Sequence, residues 1–517
     1  MKNLPTGIQT FHEIKDPKEN YIYIDKTDLA HQLINNGKYY FLSRPRRFGK
    51  SLFLDTLKDI FEGKKELFEG LYIYDKWDWE TTYPVIKISF GGGVTQSVED
   101  LDKSILYLID ENQERLGIEC YYKDSIKNCF LDLIKRAYQK YNQKVVILID
   151  EYDKPILDNI TDIELSRAIR NQLKNIYSII KDSDQYLEFV FLTGVSKFSK
   201  VSLFSGLNNL EDISLNPNYA TICGYTHEDI KHHFKERLFD IDMSELKKWY
   251  NGYNFLGEGV YNPFDILLFF SRNKIYSNYW FETGNPAFLI EVLKKKRFFL
   301  PDLEDIKVNE SNLSSFDIDY IKIETLLFQT GYLTIKEVKE RFNQRVYHLT
   351  YPNLEVKTAL NEHIFEYLLT DKTLDKTPIF DAIEFKDMTI FENAIRQLFA
   401  MLPNDSYRKN EMQNHEGYYA NVLYAYLAGL GIEFRAEDTT NLGRIDLTIG
   451  TPDMSQVYII EFKVVENANK NGKALEQIKE KKYHEKYLNK AEEIIIIGIE
   501  FSKKEKNICK FEWERIK

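Results

Sequence analysis

Three groups of residues in this chain have the types and spacing that phosphate chemistry requires. Two of them combine a flexible glycine, an ammonium, a hydroxyl and two carboxylates, with which proteins hold a nucleoside triphosphate and its cation. The third group combines two carboxylates and a lysine, which together suit metal-dependent hydrolysis of a phosphodiester. The groups are Gly49-Lys50-Ser51, Asp150-Glu151, and Asp446 with Glu461 and Lys463.

The glycine-lysine-serine group lies where an expected strand gives way to an expected helix. KYYFLS at 38–43 has the apolar run of a buried strand, and the amphipathic pattern at 52–61 predicts a helix. At such a junction Gly49 permits close approach of the backbone to phosphate, Lys50 supplies a mobile charge, and Ser51 offers a hydroxyl to Mg²⁺. These residues therefore predict a nucleotide site of the P-loop kind.

The loop departs from the general P-loop pattern in one place. That pattern has a glycine five residues before Gly49, where this chain has Arg44. Arg47 and Phe48 follow in the same loop and are predicted to contact the nucleotide. A glycine-lysine-serine triplet at a helix start is weak on its own, so an accidental match is the alternative.

The acidic pair Asp150-Glu151 makes the nucleotide interpretation more specific. It follows the apolar run at 145–149, and residues at the carboxyl ends of buried parallel strands lie where ligands bind. Asp150 is predicted to hold Mg²⁺ through water, and Glu151 to orient or deprotonate the attacking water. Thr193, which ends the next strand, is predicted to sense the γ-phosphate. The alternatives are that the acids cap a turn and that the threonine merely ends its strand.

Alternating strands and helices must position these residues. Apolar strands separated by helical patterns predict a parallel sheet covered on both faces, an α/β nucleotide-binding domain. The predicted strands are 38–43, 85–90, 145–150 and 187–194, with helical segments at 98–141 and 163–181. After about residue 215 the pattern becomes helical and suggests a lid over the domain.

The order of elements from 317 to 369 is helix, hairpin, helix, with the hairpin turn expected at Asn343-Gln344. This order is that of a winged helix, and a packing module between domains is the alternative. A short polar segment at 370–378 marks a domain boundary. The expected domains are 1–215 for the P-loop part, 216–375 for the helical and winged region, and 376–517 for the last part.

The last part of the chain is predicted to be a compact α/β module that could hold a second site. Asp446 lies on one strand of a predicted hairpin, and Glu461 and Lys463 lie two residues apart on the next strand, on the same face. The two carboxylates are predicted to share Mg²⁺, while Lys463 stabilises the nucleophile or the developing charge. Glu416, on the preceding helix, is predicted as an outer metal ligand.

Residues beyond these strands extend the second site. Gln477 and Tyr483 lie on a lysine-rich segment, 472–487, that is predicted to be one helix, and both are expected to contact a phosphate backbone. The alternatives are a surface ion pair across the hairpin, or a nuclease fold without activity.

Several stretches resemble the bacterial AAA-ATPase-like family, whose members typically carry a C-terminal PD-(D/E)XK nuclease-superfamily domain. The stretches are RPRRFGKS, YIDKT, LIDEYDKPI, LTGVSKFSKVSLFSGLNNLEDIS, WYNGYNF, VYNPFDI and GYLTI. The resemblance implies ATP as the nucleotide, and in this family an arginine-rich loop without the first glycine is the usual form. Asp446, Glu461 and Lys463 resemble the PD-(D/E)XK signature, with Arg-Ile-Asp where Pro-Asp is usual.

Composition limits the other classes of function. A chain of 517 residues predicts two to four domains, and a net charge of -11 excludes a uniformly basic surface for nucleic acid. The four cysteines have no metal-ligand spacing, and no apolar run approaches the ~18 residues of a membrane span, so we expect a cytoplasmic protein.

The leading hypothesis from the sequence is an ATP-regulated, Mg²⁺-dependent nuclease that acts on DNA in preference to RNA. The alternative is a non-cleaving NTPase switch that binds nucleic acid or a protein partner. No membrane partner is expected, and a homo-oligomer is compatible with either hypothesis.

Overall fold

The computed structural model describes residues 1–121, 125–197, 207, 209–281, 289–290, 292–293, 298–313, 322–369, 375–402, 416–451, 453–466, 473–505 and 507–517, with only the backbone of residue 416. The chain forms two compact units. The first comprises Met1–Thr283 and Asp305–Asn353, and the second Gly284–Glu304 and Leu354–Lys517. The division into three domains stays a prediction.

The first unit is built on a parallel sheet of five strands in the order β2-β3-β4-β1-β5. Its central strands are buried along their whole length, which explains their continuous apolar sequences. The strands are β1 (Tyr39–Ser43), β2 (Val85–Ser89), β3 (Val145–Asp150), β4 (Leu187–Gly194) and β5 (Glu211–Asp212). This sheet confirms the α/β fold with a P-loop-like domain.

The three longest helices between β2 and β4 begin at polar caps, whereas the helix at the site does not. Ser97, Ser125 and Asp162 each accept a hydrogen bond from the backbone N–H three residues on, which fixes the start of a helix. The helix after β1 begins instead at Gly49, whose φ is 89°. The helices are α1 (Phe11–Ile14), α2 (Thr27–Asn36), α3 (Lys50–Phe61), α4 (Val98–Leu116), α5 (Ile126–Tyr141), α6 (Lys154–Leu157) and α7 (Ile163–Asp182).

The helical region that follows has its own aromatic core. Tyr250 packs on Phe269 with ring centroids 5.8 Å apart, and Phe234 stacks on Phe270 at 5.0 Å. Residues from the start of the chain, including Ile22, join the same core. The helices here are α8 (His227–His233), α9 (Met243–Tyr250), α10 (Pro263–Ser271), α11 (Glu310–Leu313) and α12 (Ile323–Thr330).

A second, antiparallel sheet of three strands completes the first unit. Its strands are β6 (Ile306–Asn309), β7 (Thr334–Arg341) and β8 (Gln344–Thr350), in the order β6-β8-β7. The hairpin turn is Phe342-Asn343, one residue earlier than predicted, because both residues adopt positive φ. The next helix, α13 (Leu354–Leu368), belongs to the second unit, and the winged helix stays a prediction.

The second unit is a mixed sheet in the order β13-β12-β11-β10-β9, with only the β11–β12 pair parallel. The strands are β9 (Phe434–Thr439), β10 (Arg444–Gly450), β11 (Gln456–Val465), β12 (Glu493–Ser502) and β13 (Asn507–Arg515). The remaining helices are α14 (Thr377–Glu384), α15 (Met388–Ala400), α16 (Glu416–Gly429) and α17 (Ala474–Glu480). The last strand, β13, was not predicted from the sequence.

Helices cover both faces of this mixed sheet. On one face Tyr419 of α16 stacks on Phe501 with ring centroids 3.7 Å apart, and on the other Ile478 of α17 packs into the core with Tyr483. The predicted helix at 472–487 was wrong in its extent. It breaks at Lys482, whose φ is 48°, and a 3-10 turn (Tyr483–Tyr487) follows because both tyrosines turn into the core.

Among the described residues, no helix has both the length and the apolar content that crossing a bilayer requires.

Candidate functional site

A cavity of about 620 Å³ lies at the carboxyl edge of the parallel sheet in the first unit. The loop after β1 and the start of α3 form one wall, and the ends of β2 and β3 form another. Its lining includes residues 46–52, Ser89, Gly91, Gly92, Asp150, Glu151, Asp153 and Lys154. The fold thus brings the first two predicted groups together in one partly open cavity of a size suited to a small ligand.

The loop after β1 turns through two residues in the left-handed region. Arg47 has φ 66° and Gly49 has φ 89°, and both residues line the cavity. Left-handed residues of this kind occur in the backbone turns that bind anions. Gly49 has no side chain to cap α3, so the first N–H groups of that helix stay available to a ligand. The arrangement is that of an anion-binding helix start.

Lys50 is buried and bonded to its own loop. Its Nζ donates to the carbonyl oxygen of Arg44 at 3.0 Å and to that of Pro45 at 2.9 Å. Burial lowers the pKa of this ammonium, and the charge of Asp150 opposes that effect. The lysine is therefore held beside the acidic pair by carbonyl groups that a phosphate could replace.

Asp150 is held rigidly at the end of β3. It is 4% exposed, and its Oδ1 accepts a hydrogen bond of 2.5 Å from the hydroxyl of Thr193, the residue at the matching end of β4. Thr193 is itself fully buried and is not among the residues that line the cavity. In this structure the threonine therefore orients Asp150, whereas the sequence suggested that it faces a phosphate.

Glu151 combines backbone strain with a perturbed carboxyl group. Its φ is 50°, a conformation that costs a residue with a side chain about 1 kcal/mol or more. Its N–H donates to Asp150 Oδ1 at 3.0 Å, which fixes the turn. Burial raises the pKa of Glu151, and the neighbouring charge of Asp150 raises it further. A carboxyl group with a raised pKa is suited to accept a proton near neutral pH.

Sequence reasoning missed Asp153, which ties the acidic loop to the end of β4. This buried carboxylate accepts hydrogen bonds from the backbone N–H of Val195 at 3.1 Å and of Ser196 at 2.6 Å, and from the Ser196 hydroxyl at 2.7 Å. Burial raises the pKa of Asp153. Its position three residues after Asp150 is the signal that could have suggested a role.

Arg44, the residue in place of the first glycine, points away from the cavity. It is fully buried, and its guanidinium donates to the carbonyl oxygens of Ser214 at 2.8 Å and Tyr219 at 3.1 Å. Its central carbon lies 3.8 Å from the centre of the Phe255 ring. Burial lowers its pKa to about 10. The arginine therefore anchors the loop to the segment after β5, a structural role that the sequence did not reveal.

The opposite wall of the cavity is largely apolar. It is formed by the start of the chain and by α10, through Pro5, Ile8, Pro263, Phe264 and Leu267. The guanidinium of Arg47 lies 5.1 Å from the centre of the Phe264 ring and links this wall to the loop. Phe48, by contrast, packs inward on Tyr253 with ring centroids 4.7 Å apart. An apolar wall opposite a phosphate-type loop suits a flat aromatic base.

The second unit brings the third predicted group together on β10 and β11. Asp446 Oδ2 accepts a hydrogen bond of 2.7 Å from the backbone N–H of Phe462, which lies between the other two residues of the group. Lys463 Nζ lies 3.8 Å from Glu461 Oε1, so the two side chains share a face of β11. Glu461 is 2% exposed and Lys463 is 28% exposed, so the group extends from the core to the surface.

Gln477 makes a contact that the sequence did not suggest. Its side-chain amide donates to Glu461 Oε1, so it holds the carboxylate, and a contact with a phosphate backbone stays a prediction. Tyr483 is buried beside it, and burial together with the charge of Glu461 raises its pKa. Gln477 therefore holds the carboxylate, and Tyr483 lies within range of its charge.

The second site offers few carboxylates as metal ligands. The side chain of Glu416, the predicted outer ligand, lies outside the described residues, although α16 begins there. Within the described part of the chain, no group of three or more histidine, cysteine, aspartate or glutamate residues could hold a metal. Two carboxylates nonetheless fit Mg²⁺, which commonly takes one or two from the protein and completes its shell with water and substrate oxygens.

Comparisons with known proteins match both the first and the last part of the chain. The model of a family described as predicted AAA-ATPase matches residues 5–204, and that of the PD-(D/E)XK nuclease superfamily matches residues 414–511. An uncharacterized protein in the vnfD 5′ region of Azotobacter chroococcum mcd 1 is 47% identical over 513 residues, 99% of this chain and 98% of that protein. The chain belongs to the AAA-ATPase-like family. No solved structure matches it significantly.

The unusual loop of this AAA-ATPase-like protein is compatible with nucleotide binding. Arg44 is buried and does not line the cavity, so it does not compete with a nucleotide for that space. Lys50, Ser51, Asp150 and Glu151 line that cavity together, as a bound triphosphate with its cation would require. The nuclease-superfamily match covers all three residues of the second group.

Proposed function

We propose that this protein is an ATP-binding, ATP-regulated nuclease that depends on Mg²⁺ and acts on DNA. The observation that carries the proposal is the gathering of Asp446, Glu461 and Lys463 on two paired strands, supported by the separate phosphate-type cavity of the first unit. The preference for DNA over RNA rests on the nuclease-superfamily match alone.

In the second unit, Asp446 and Glu461 would hold Mg²⁺, which polarises a phosphodiester and lowers the pKa of bound water. The backbone N–H of Phe462 fixes one carboxylate and the amide of Gln477 fixes the other, so both are oriented before substrate binds. Lys463, the exposed member of the group, would place its ammonium against the nucleophile or the developing negative charge.

In the first unit, the loop from Arg47 to Ser51 would hold the phosphates of ATP. Lys50 would exchange its two loop carbonyls for phosphate oxygens, which restores a full charge partner to a buried ammonium. Ser51 and Asp150 would hold Mg²⁺, with Thr193 keeping Asp150 in place. Glu151, with its raised pKa, would accept a proton from the attacking water.

The direct test of cleavage uses purified protein with Mg²⁺ and ATP on plasmid DNA, single-stranded DNA and single-stranded RNA. We expect Asp446→Ala to abolish cleavage, while Glu476→Ala, which removes an exposed carboxylate from α17, leaves it unchanged. If wild type and Asp446→Ala behave identically on all three substrates, the nuclease proposal fails.

The second candidate function is a non-cleaving NTPase switch that binds nucleic acid or a protein partner. It is favoured by the small carboxylate set, since within the described residues no group of three metal-binding side chains occurs. This candidate predicts that calorimetry detects ATP binding, that Lys50→Ala removes it, and that no metal-dependent cleavage accompanies it.

We further propose a cytoplasmic location, where all four cysteines would stay in the free form that the structure shows. A homo-oligomer is compatible with the proposal, and sedimentation velocity would decide the assembly state.

A further inference from the structure

The β7–β8 hairpin of the first unit ends in a fully exposed aromatic residue. Only the first two residues of β7 are buried, and residues 336–345 are exposed on both strands and at the turn. Phe342 occupies the tip, with its side chain wholly open to solvent. Because β7 lies at the edge of the order β6-β8-β7, the tip projects from a regular, hydrogen-bonded ladder.

Phenylalanine at this position is locally unfavourable in two ways. The turn requires positive φ at both central residues, 49° at Phe342 and 60° at Asn343, a conformation that glycine and asparagine adopt more readily than an aromatic residue. The exposed ring also gains nothing from burial. An aromatic residue with an unfavourable backbone conformation and no buried contact is expected at positions where function requires it.

The charges beside the tip are predominantly positive. Residues 336–345 contain four basic side chains and two acidic ones. The two ion pairs of this fully described segment, Lys339 with Glu337 at 2.6 Å and Arg345 with Glu340 at 3.9 Å, use both carboxylates. The segment therefore carries a net charge of +2, and one of its cations, Arg341, directly precedes Phe342.

The tip suits unpaired nucleic acid better than a protein. An exposed aromatic ring next to a guanidinium provides a stacking surface for a base and a contact for a phosphate. A protein-docking surface would need a larger apolar patch, whereas the only other apolar side chain exposed beyond a third on this part of the hairpin is Val338. In a duplex the bases are already stacked, so only unpaired bases can use the ring.

We propose that the β7–β8 hairpin binds single-stranded nucleic acid, with Phe342 stacking on a base and Arg341 contacting the backbone. The inference rests on the proposed function in one respect, that the chain acts on nucleic acid. It adds a contact outside the nuclease-superfamily domain and predicts a preference for unpaired strands.

The test is fluorescence anisotropy of the full chain with a labelled thirty-nucleotide dT strand, and with a blunt duplex of equal length. EDTA and the absence of nucleotide separate binding from cleavage and from ATP. We expect Phe342→Ala to weaken binding of the single strand about tenfold, with duplex binding changed less than about twofold. Phe342→Trp should restore the affinity for the single strand. Phe239→Ala, which removes another exposed aromatic of the first unit, is the matched control.

A salt titration adds a measurement that separates the ring from the charge. Arg341→Ala should lower the slope of log affinity against log salt concentration by about 0.7, because one phosphate contact is lost. Phe342→Ala should leave that slope unchanged. Melting temperatures within about 2 °C of wild type would verify that these tip variants are folded.

The outcomes separate this inference from the proposed function. If wild type binds and cleaves the single strand and Phe342→Ala does so equally well, the hairpin inference is overturned and the nuclease proposal stands. If wild type binds neither strand in EDTA yet cleaves DNA with Mg²⁺ and ATP, the hairpin inference is overturned and the nuclease proposal stands. If wild type neither binds nor cleaves nucleic acid, both fail. If Phe342→Ala alters the sedimentation coefficient but not the affinity for DNA, the tip is a protein interface and the inference is overturned.

Discussion

The two candidate sites use similar side chains on two different kinds of sheet. In the first unit, parallel strands end at a common edge, and the loops beyond them enclose a cavity of about 620 Å³ around Lys50, Asp150 and Glu151. In the second unit, the carboxylates lie along the strands of a mixed sheet. Glu461 is buried, whereas Lys463, two residues further on, is partly exposed. A small molecule can be enclosed in the first arrangement, whereas a long polymer needs the open access of the second.

The two lysines also differ in their contacts. Lys50 is buried and bonded to two carbonyl oxygens of its own loop, so phosphate binding must displace these contacts. Lys463 is partly exposed, and its Nζ lies 3.8 Å from Glu461 Oε1. The first lysine must give up contacts to bind a phosphate, whereas the second can meet a substrate at the surface. This difference is why we assign regulation to the first unit and cleavage to the second.

The largest expected effect concerns ATP turnover in the first unit. Glu151→Gln removes the group that accepts the proton of water and keeps the shape of the side chain, so we expect turnover to fall about 10³-fold. ATP affinity by calorimetry should stay within about threefold of wild type. Unchanged turnover would show that this site does not use its acidic pair as the comparison assumes.

The second prediction concerns stability and the departure from the general P-loop. Arg44→Gly makes the loop more like that pattern, but it removes the guanidinium donor from the buried carbonyl oxygen of Ser214 and one of the two donors to that of Tyr219. We expect a loss of about 3 kcal/mol in the free energy of unfolding and a melting temperature lower by roughly 6–12 °C. Arg46→Gly, at an exposed neighbouring position, has the same backbone entropy cost and should lower stability by about 1 kcal/mol. Equal effects of the two variants would contradict a structural role for Arg44.

The third prediction concerns the residue that supports the second site. Gln477→Leu keeps the bulk of the side chain but removes the hydrogen bond to Glu461. We expect the Mg²⁺ concentration for half-maximal cleavage to rise, and the cleavage rate to fall, by about 10–100-fold. Gln477→Glu places a second negative charge beside that carboxylate and should be at least as damaging. A phosphate-contacting role would instead change substrate affinity without changing the dependence on Mg²⁺.

The smallest expected effect is on pH dependence. Glu151 must be ionised to accept a proton, and burial raises its pKa above the ordinary 4.5. The acid limb of kcat/KM for ATP, which reports the free enzyme, should therefore have its midpoint above 4.5, with activity rising as pH rises. A midpoint at or below 4.5, in a pH range where circular dichroism shows the fold intact, would contradict the assigned environment of Glu151.

Local patterns predicted most of the elements that carry the sites. The apolar run before Asp150 predicted β3 with its observed bounds, and the junction at Gly49 predicted the start of α3. Both predictions use only residues that are neighbours in the sequence. A strand that is buried on both faces needs apolar residues at successive positions, so its sequence is a continuous apolar run. The face shared by Glu461 and Lys463 followed in the same way from the two-residue repeat of a strand.

Contacts between residues distant in sequence could not be predicted in this way. Arg44 was compared only with a loop pattern, and its partners lie about 170 residues further along the chain. Phe264 reaches the nucleotide cavity because α10 packs beside the first residues of the chain, which no local period indicates. The helix break at Lys482 depends on how two tyrosines fit the core, and the contact of Gln477 with Glu461 joins a helix to a strand 16 residues earlier.

The central claim is that two separate sites handle two separate phosphate substrates. The most direct measurement follows ATP hydrolysis and DNA cleavage in parallel for wild type, Lys50→Ala and Asp446→Asn, with Mg²⁺ and with or without ATP. We predict that Lys50→Ala loses ATP hydrolysis and the response of cleavage to ATP. Asp446→Asn should lose cleavage and still hydrolyse ATP at the wild-type rate in the absence of DNA. Loss of both activities in each variant, or cleavage by Asp446→Asn at the wild-type rate, would contradict the account.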